Sequence, residues 1–171
     1  FQALLGKVTE AGAETDVEPD GVRVRVGRDL TAVDVDTAPY PGFATDLHPP
    51  LAAALTRARG VSSIRETVHD SRFAYVDELR RMGAEMKVDG DTVRISGVER
   101  LRGAPVVALD IRAGAAVVIA ALAATGMTEI RRVENLDRGY EGLTEKLRSL
   151  GAAIERVDED TVPAAEATAA G

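Results

Sequence analysis

Landmark residues recur along this chain at a nearly constant spacing, and this repetition restricts the possible folds more than any other feature. Four pairs of identical residues or dipeptides lie 64 to 68 positions apart: Asp46 and Asp110, Gly60 and Gly126, Arg72 and Arg138, and Gly83-Ala84 and Gly151-Ala152. Periods this long are typical of repeated supersecondary units rather than of short solenoid repeats. The sequence therefore predicts about two and a half copies of one unit.

The clearest part of the unit is a joint between a strand and a helix. Val106 and Val107 are predicted to end a buried strand, and Asp110 to cap a helix over 112–124 that stops at Gly126. The unpaired N–H groups and the positive end of the helix dipole at such a joint favour an anion. The joint thus indicates an anion site, although an aspartate that only caps the helix explains the same pattern.

The apolar pattern elsewhere predicts an α/β (α+β) fold, in which each unit runs strand, helix, strand, helix, hairpin and a mixed sheet is covered by helices. The predicted elements are a helix over 3–11, a hairpin of 14–18 with 22–26, a strand over 30–35, a helix after Asp46, a strand over 61–67, a helix from Asp70 to Gly83, a hairpin of 85–88 with 92–95, a strand over 127–132, a loop to Arg138, a helix over 140–149 and a strand over 152–157. We assign 1–157 to one incomplete domain and 158–171 to a disordered acidic and Ala-rich tail.

Composition excludes several classes of function. The net charge of −7 argues against a general nucleic-acid surface, and the absence of cysteine removes disulfides and thiolate metal sites. The longest apolar run, about 12 residues, is too short for a membrane helix. His48 and His69 are not at metal-ligand spacing, so no metal is expected and both are predicted to lie on the surface or in loops. The chain begins with Phe1, so we expect it to be a piece of a longer polypeptide, and its composition fits a cytoplasmic protein.

Each of the two fuller units places an aspartate at the start of its first helix and an arginine at the start of its second. If these helices lie side by side, Asp46, Arg72, Asp110, Arg112 and Arg138 form one polar patch. Arginines can bind phosphate or carboxylate while an aspartate accepts a proton from a hydroxyl. Helix-capping acids and solvated basic residues would give the same spacing.

Five motifs carry a resemblance that covers residues 3 to 157. They are Tyr40–Leu47, Glu66–Phe73, Leu79–Ala84, Asp110–Ala113 and Leu136–Glu141. In this order they resemble the C-terminal part of the UDP-N-acetylglucosamine 1-carboxyvinyltransferases, members of the enolpyruvyl transferase family.

The resemblance implies an inside-out α/β barrel domain, one of two that are each built from three such units. It also implies transfer of the enolpyruvyl group of phosphoenolpyruvate to the 3′-hydroxyl of UDP-N-acetylglucosamine, the first committed step of bacterial peptidoglycan synthesis. No cofactor is implied. The family's cysteine loop and its other domain are not in these residues, so this chain alone is expected to be inactive without the remainder of the polypeptide.

The resemblance also assigns roles to individual residues. Asp46 is the base that contacts the sugar hydroxyl, Val68 lines the UDP-sugar site, and Arg138 binds the phosphoenolpyruvate phosphate and is catalytic. The remaining polar residues of the implied cleft are Arg72, Asp110 and Arg112.

The sequence departs from the family pattern beside these positions rather than at them. The departures are Ala44, His48, His69-Asp70-Ser71 and Leu109. Three alternative functions stay open: a related transferase that acts on shikimate phosphate, one that acts on a nucleotide, and a non-catalytic binding module.

Overall fold

Helices and strands alternate along the chain in the computed structural model, which describes residues 1–27, 29–70 and 72–157. The helices are α1 (Gln2–Glu10), α2 (His48–Leu55), α3 (Tyr75–Arg81), α4 (Ile111–Ala123), α5 (Glu134–Asp137) and α6 (Leu143–Ser149), with a 3₁₀ helix at Thr45–Leu47. The strands are β1 (Glu14–Glu18), β2 (Gly21–Arg25), β3 (Asp34–Asp36), β4 (Val61–Arg65), β5 (Glu85–Asp89), β6 (Thr92–Ser96), β7 (Leu101–Arg102), β8 (Pro105–Val107), β9 (Ala124–Thr125) and β10 (Glu129–Arg131). The predicted α/β content is confirmed.

Four strands form a mixed sheet in the order β3-β4-β6-β5. Strands β3 and β4 run parallel, with Val35 opposite Ile64, whereas β6 is antiparallel to both of its neighbours. The predicted hairpins correspond to β1 with β2 and β5 with β6. A parallel pair needs a crossover connection, and the crossover from β3 to β4 contains α2.

A second parallel pair joins β8 to β10, with Val106 opposite Ile130, and its crossover contains α4. The two pairs end in the same way. The N–H of Thr37 donates to the carbonyl of Arg65 at 2.9 Å, and the N–H of Ala108 donates to the carbonyl of Arg131 at 2.9 Å. Each pair therefore continues one residue past its strands before the chain turns towards a helix.

The core lies where α2 and α4 pack against each other. Both helices are rich in alanine, and Ala52, Ala53, Ala116 and Ala120 are all buried. Small side chains let the two helix backbones approach closely. Larger side chains from the sheet and α3 complete the core, among them Ile64, Leu79, Val93 and Ile95. In the described residues no helix is both long and apolar enough to cross a membrane.

Several predicted helix boundaries are wrong. The helix predicted after Asp46 is confirmed as α2, which starts at His48, but a 3₁₀ helix at Thr45–Leu47 precedes it. The helix expected from Asp70 begins at Tyr75. The stretch treated as a loop before Arg138 contains α5, which Asn135 anchors by donating to the carbonyl of Ala108 at 2.8 Å. These errors arise from short turns whose hydrogen-bond partners are distant in sequence.

The chain divides after Gly139 into two compact units. In the second, the predicted helix over 140–149 starts at Leu143, because Gly142 adopts a left-handed conformation with φ +59°. The predicted strand over 152–157 is wrong, since no strand forms there in the described residues. The Arg148 guanidinium instead donates to the carbonyl of Ile154 at 2.9 Å. The predicted disordered tail, 158–171, lies outside the described residues.

Candidate functional site

Asp46 and two arginines form an ion-pair cluster at the start of α4. The Oδ1 atom of Asp46 accepts from the Nε atom of Arg112 at 2.6 Å and lies 3.4 Å from an Nη atom of Arg72. The Asp46 side chain is 58% exposed, whereas that of Arg72 is only 8% exposed. The predicted patch therefore assembles around three of its five members, on a surface open to solvent.

The arginines hold Asp46 in its ionised form. The hydrogen bond from Arg112 is the main reason that the pKa of Asp46 lies below its ordinary value. Burial is the second largest effect and raises the pKa, while the charges of Arg112 and Arg72 lower it further. Both arginine contacts fall on Oδ1. No described residue donates a hydrogen bond to Oδ2, so this oxygen is the one that can accept a proton from a ligand.

Arg72 is oriented from inside the protein. Its Nε atom donates to the hydroxyl of Thr45 at 3.1 Å, and that hydroxyl donates in turn to the Oε2 atom of Glu66 at 2.9 Å. A threonine hydroxyl has one proton and two lone pairs, so it can make both bonds at once. Asp46, Arg72 and Arg112, which we call the charged rim, are thus connected to a buried carboxylate.

Glu66 is the centre of a buried hydrogen-bond network that joins three segments of the chain. Its residue is 3% exposed, and its two oxygens accept five hydrogen bonds. The donors are the hydroxyls of Thr37 and Thr45, Nδ1 of His48 and the backbone N–H groups of Val68 and His69. Burial raises the pKa of Glu66, but these hydrogen bonds outweigh burial and lower it to about 2.

His48 is a member of this network, and the prediction that it lies on the surface is wrong. It is fully buried, with Nδ1 at 2.9 Å from Glu66 Oε2 and Nε2 at 2.8 Å from the hydroxyl of Tyr75. Burial lowers the pKa of His48 even though Glu66 favours its protonation. The neutral ring donates from Nδ1 and accepts at Nε2, because an ionised carboxylate can only accept. His69 is exposed, as predicted.

Asp110 has a different role from Asp46. Its Oδ1 accepts from the backbone N–H groups of Arg112 at 2.6 Å and Ala113 at 2.9 Å, which makes it the N-cap of α4. The predicted cap is confirmed. Asp110 thereby fixes the first turn of α4, and this turn carries Arg112 to Asp46.

The predicted site residues Arg138 and Val68 are not members of the ion-pair cluster around Asp46. Arg138 follows α5 instead of starting α6, is exposed, and makes no ion pair among the described residues. The next residue, Gly139, packs so closely on Ile111 that a Cβ atom there would lie 2.8 Å from it, which places this part of the chain beside the start of α4. Val68 is 45% exposed, while its backbone is tied to Glu66.

The network of Glu66, His48, Thr45 and Tyr75 was not among the predicted site residues. One signal in the sequence could have found it. The strand predicted over 61–67 alternates, and Ser62, Ile64 and Glu66 share the buried face in the structure. A glutamate on the buried side of a strand needs several donors. Within the described part of the chain, no group of three potential ligands could hold a metal ion.

The fold and the rim define a class of protein, a mixed α/β protein with paired aspartate and arginine side chains on an exposed edge. Residues 1–162 match the family described as EPSP synthase (3-phosphoshikimate 1-carboxyvinyltransferase). The chain belongs to this family.

Individual relatives agree with the family assignment. A UDP-N-acetylglucosamine 1-carboxyvinyltransferase of Rhodopseudomonas palustris (strain TIE-1) is 54% identical over 158 residues, which are 92% of this chain and 37% of the relative. The enzyme of that name from Nitrobacter winogradskyi is 52% identical over the same shares of the two chains. The crystal structure of the enolpyruvyl transferase NikO from Streptomyces tendae superimposes with a TM-score of 0.81 at 32% identity, over 88% of this chain and 35% of that one. The chain therefore spans little more than a third of the length of the relatives it matches.

Proposed function

We propose that this chain is part of a bacterial enzyme that transfers the enolpyruvyl group of phosphoenolpyruvate to the 3′-hydroxyl of UDP-N-acetylglucosamine. The observation that carries the proposal is the exposed Asp46 carboxylate held between Arg72 and Arg112. The names of the 54% and 52% identical relatives support the choice of substrates. The enzyme would act in the cytoplasm, in the step that commits the cell to peptidoglycan synthesis and so to cell-wall growth, cell shape and division.

In this proposal Asp46 is the general base. A carboxylate with a lowered pKa is a weak base, and the hydrogen bond from Arg112 is the main cause of that lowering. A substrate anion that draws Arg112 to itself would remove this cause and strengthen the base only when the site is occupied. Oδ2 would then take the hydroxyl proton as the sugar oxygen adds to C2 of phosphoenolpyruvate and C3 gains a proton from solvent. Loss of a proton from C3 and of phosphate from C2 would restore the double bond and give the enolpyruvyl product.

The arginines bind the anionic groups of the two substrates. Guanidinium groups match the geometry of phosphate and carboxylate oxygens, and Arg138 is exposed, with no ion-pair partner among the described residues. We assign it to the phosphate of phosphoenolpyruvate. Val68 presents an exposed apolar side chain that can pack against the UDP-sugar.

The rest of the polypeptide completes the site. We propose that residues 1–157 form about two and a half repeat units of an inside-out α/β barrel domain, and that a second domain and a cysteine-bearing loop come from residues outside this chain. The share of the relatives that the chain covers, 37%, supports this division. No cofactor takes part in the proposed reaction.

Phosphate release by the full-length polypeptide tests the proposal. With phosphoenolpyruvate present, UDP-N-acetylglucosamine should support turnover, and mass spectrometry should find the acceptor heavier by one enolpyruvyl group. Shikimate 3-phosphate and a free nucleotide serve as competing acceptors. Turnover with either of these in place of the UDP-sugar would overturn the assigned acceptor, and binding of the UDP-sugar without turnover would favour the non-catalytic module.

Arg138→Ala tests the assigned phosphate contact. Removal of a charge-assisted hydrogen bond should raise the KM for phosphoenolpyruvate by roughly 10-fold or more, with a smaller change in the KM for the UDP-sugar. Steady-state kinetics with each substrate varied in turn measure both. Arg100→Ala is the matched control, since that side chain is 71% exposed and, among the described residues, forms an ion pair with the neighbouring Glu99 alone. Equal changes in the two KM values would contradict the assignment.

A further inference from the structure

Glu66 lies behind the charged rim, and it contacts neither Asp46 nor Arg72 directly. We infer that Glu66 is a positioning residue of the site, which acts through the hydroxyl of Thr45 to orient the Arg72 guanidinium against Asp46. The inference deepens the proposed function and rests on it for its kinetic part. Its structural part can be tested without any activity.

The two oxygens of Glu66 hold two different segments. Oε1 accepts from the backbone N–H groups of Val68 at 2.9 Å and His69 at 3.0 Å, and so fixes the turn after β4. Oε2 accepts from Thr45 at 2.9 Å and His48 at 2.9 Å, and so fixes the segment that carries Asp46. One buried carboxylate therefore sets the distance between two segments that both supply site residues.

Thr45 transmits the position of Glu66 to the rim. Because the ionised Glu66 can only accept, the single proton of the Thr45 hydroxyl must point towards it. The lone pairs of the hydroxyl then face outwards, where the Nε atom of Arg72 donates to one of them at 3.1 Å. This bond fixes the plane of a guanidinium whose Nη atom lies 3.4 Å from Asp46 Oδ1.

Because these groups are buried, the loss of one hydrogen bond between them is costly. Arg72 is 8% exposed at its side chain and Glu66 is fully buried at its side chain, so water cannot easily replace a lost partner. A buried glutamate with a purely structural role would need no hydrogen-bonded connection to Arg72. Here the link runs through one hydroxyl, which a single substitution can remove.

Thr45→Val in the full-length polypeptide removes the link and keeps the side-chain shape, whereas Thr45→Ser keeps the hydroxyl. Thr56→Val is the matched control, because Thr56 is fully buried and its hydroxyl donates at 2.7 Å to the carbonyl of Ala53 at the C-terminal end of α2, whereas Asp46 precedes the N-terminal end of that helix. Thermal unfolding should show a comparable loss of stability for the two valine variants.

Steady-state kinetics should separate the variants. Thr45→Val should lower kcat/KM for UDP-N-acetylglucosamine by roughly 10-fold, the size expected when a charged donor loses its hydrogen bond. Thr45→Ser should stay within about 2-fold of the unchanged protein, and so should Thr56→Val. If Thr45→Val matched Thr56→Val in kcat/KM, the link would be structural only and the inference would be overturned.

Glu66→Gln tests the carboxylate itself. The amide NH₂ must face one of the two groups of donors, so one of the two segments loses its acceptor. We expect a fall in kcat/KM larger than that of Thr45→Val. If Glu66→Gln does not fold, Thr45→Val still decides the inference.

Crystal structures of the Thr45 variants test the inference independently of activity. The Arg72 guanidinium should turn away from position 45 in Thr45→Val and stay in place in Thr45→Ser. An unmoved Arg72 in Thr45→Val would overturn the inference even in an active enzyme. A moved Arg72 in a polypeptide without transferase activity would support the positioning and refute the proposed function.

Discussion

The two parallel strand pairs, β3 with β4 and β8 with β10, end alike but use their aspartates differently. In the crossover from β3 to β4, Asp46 lies within a 3₁₀ turn, makes no helix-capping hydrogen bond and pairs with two arginine side chains. In the crossover from β8 to β10, Asp110 caps α4 through two backbone N–H groups. The same residue type at a similar place thus supplies a carboxylate open to ligands in one case and a helix start in the other.

The buried polar groups behind the two pairs differ as well. Behind the first is Glu66, a carboxylate with five donors, and behind the second is Asn135, an amide that donates to the carbonyls of Ala108 and Leu109. An amide needs no compensation for charge, whereas a buried carboxylate needs many donors. The chain thus buries a carboxylate with five donors behind the aspartate that faces solvent, whereas Glu78, the buried carboxylate beside β8, accepts from the backbone N–H of Val107 at 2.9 Å.

Asp46→Asn should give the largest effect. Asparagine keeps the shape and loses the proton acceptor, so turnover of the full-length enzyme should fall by roughly 10²- to 10⁴-fold, while binding of the UDP-sugar weakens much less. Turnover rates and calorimetric binding measure the two. Asp77→Asn, on the exposed face of α3, is the control. Near-normal turnover in Asp46→Asn would shift the role of base to Asp110 and break the comparison.

Acid should destabilise the first region through Glu66. Its pKa in the folded chain is about 2 against an ordinary 4.5, so the unfolded chain takes up the proton first as the pH falls. The stabilisation is complete above about pH 5 and is lost towards pH 2, and amounts to about 3 kcal/mol.

His48 also makes the folded chain less stable as the pH falls. Its pKa is lowered in the folded chain, so below about pH 6.5 the unfolded chain binds the proton first. Urea denaturation of the chain between pH 7 and pH 3 measures both effects. Glu66→Gln should flatten the decline below pH 5, whereas Glu99→Gln, at an exposed glutamate, should not. An unchanged slope in Glu66→Gln would show that other carboxylates cause the acid sensitivity.

Gly114→Ala should destabilise the second region. A Cβ atom at position 114 would lie 2.7 Å from the side chain of Leu136 and 3.2 Å from Ala108. Overpacking of this kind costs about 1–3 kcal/mol, and the better helix propensity of alanine offsets part of it. Gly6→Ala in α1 is the control, because no atom lies within 4 Å of a Cβ atom there. Urea denaturation should show that the first change destabilises and the second stabilises.

Asp110→Ala should have the smallest effect, a loss of about 0.5–2 kcal/mol in the free energy of unfolding, because α4 loses its N-cap. Asp110→Asn should recover nearly all of this loss, since asparagine caps helices equally well. Asp46→Ala should cost no capping energy. If Asp46→Ala and Asp110→Ala destabilised the chain equally, the two aspartates would share one structural role.

Much of the fold could be predicted from the sequence because its elements are locally specified. The Ala-rich α4 has its cap at Asp110 and a glycine at position 126, and both hairpins alternate around Asp-Gly turns. The 3₁₀ turn at Thr45–Leu47 and α5 were missed because bonds to distant residues hold them. His48 was misplaced for the same reason, since its partners Glu66 and Tyr75 lie 18 and 27 positions away.

Part of the candidate site could likewise be predicted from the sequence, and part could not. Asp46, Arg72 and Arg112 were predicted as members of one patch, and the structure brings them together. Asp110 was predicted both to cap a helix and to join the patch, and the structure shows the cap. The predicted patch also assumed that Arg138 starts a helix, which required the loop before it to contain no helix of its own.

The ion pair between Asp46 and Arg112 can form only late in the synthesis of the chain. Its partners are 66 residues apart, so the pair closes one of the longest loops in the chain. A ribosome adds Asp46, Glu66 and Arg72 to the chain well before Arg112, because synthesis proceeds from the N-terminus. A nascent chain that ends before residue 112 therefore carries Asp46 and Arg72 but lacks the main cause of the low pKa of Asp46.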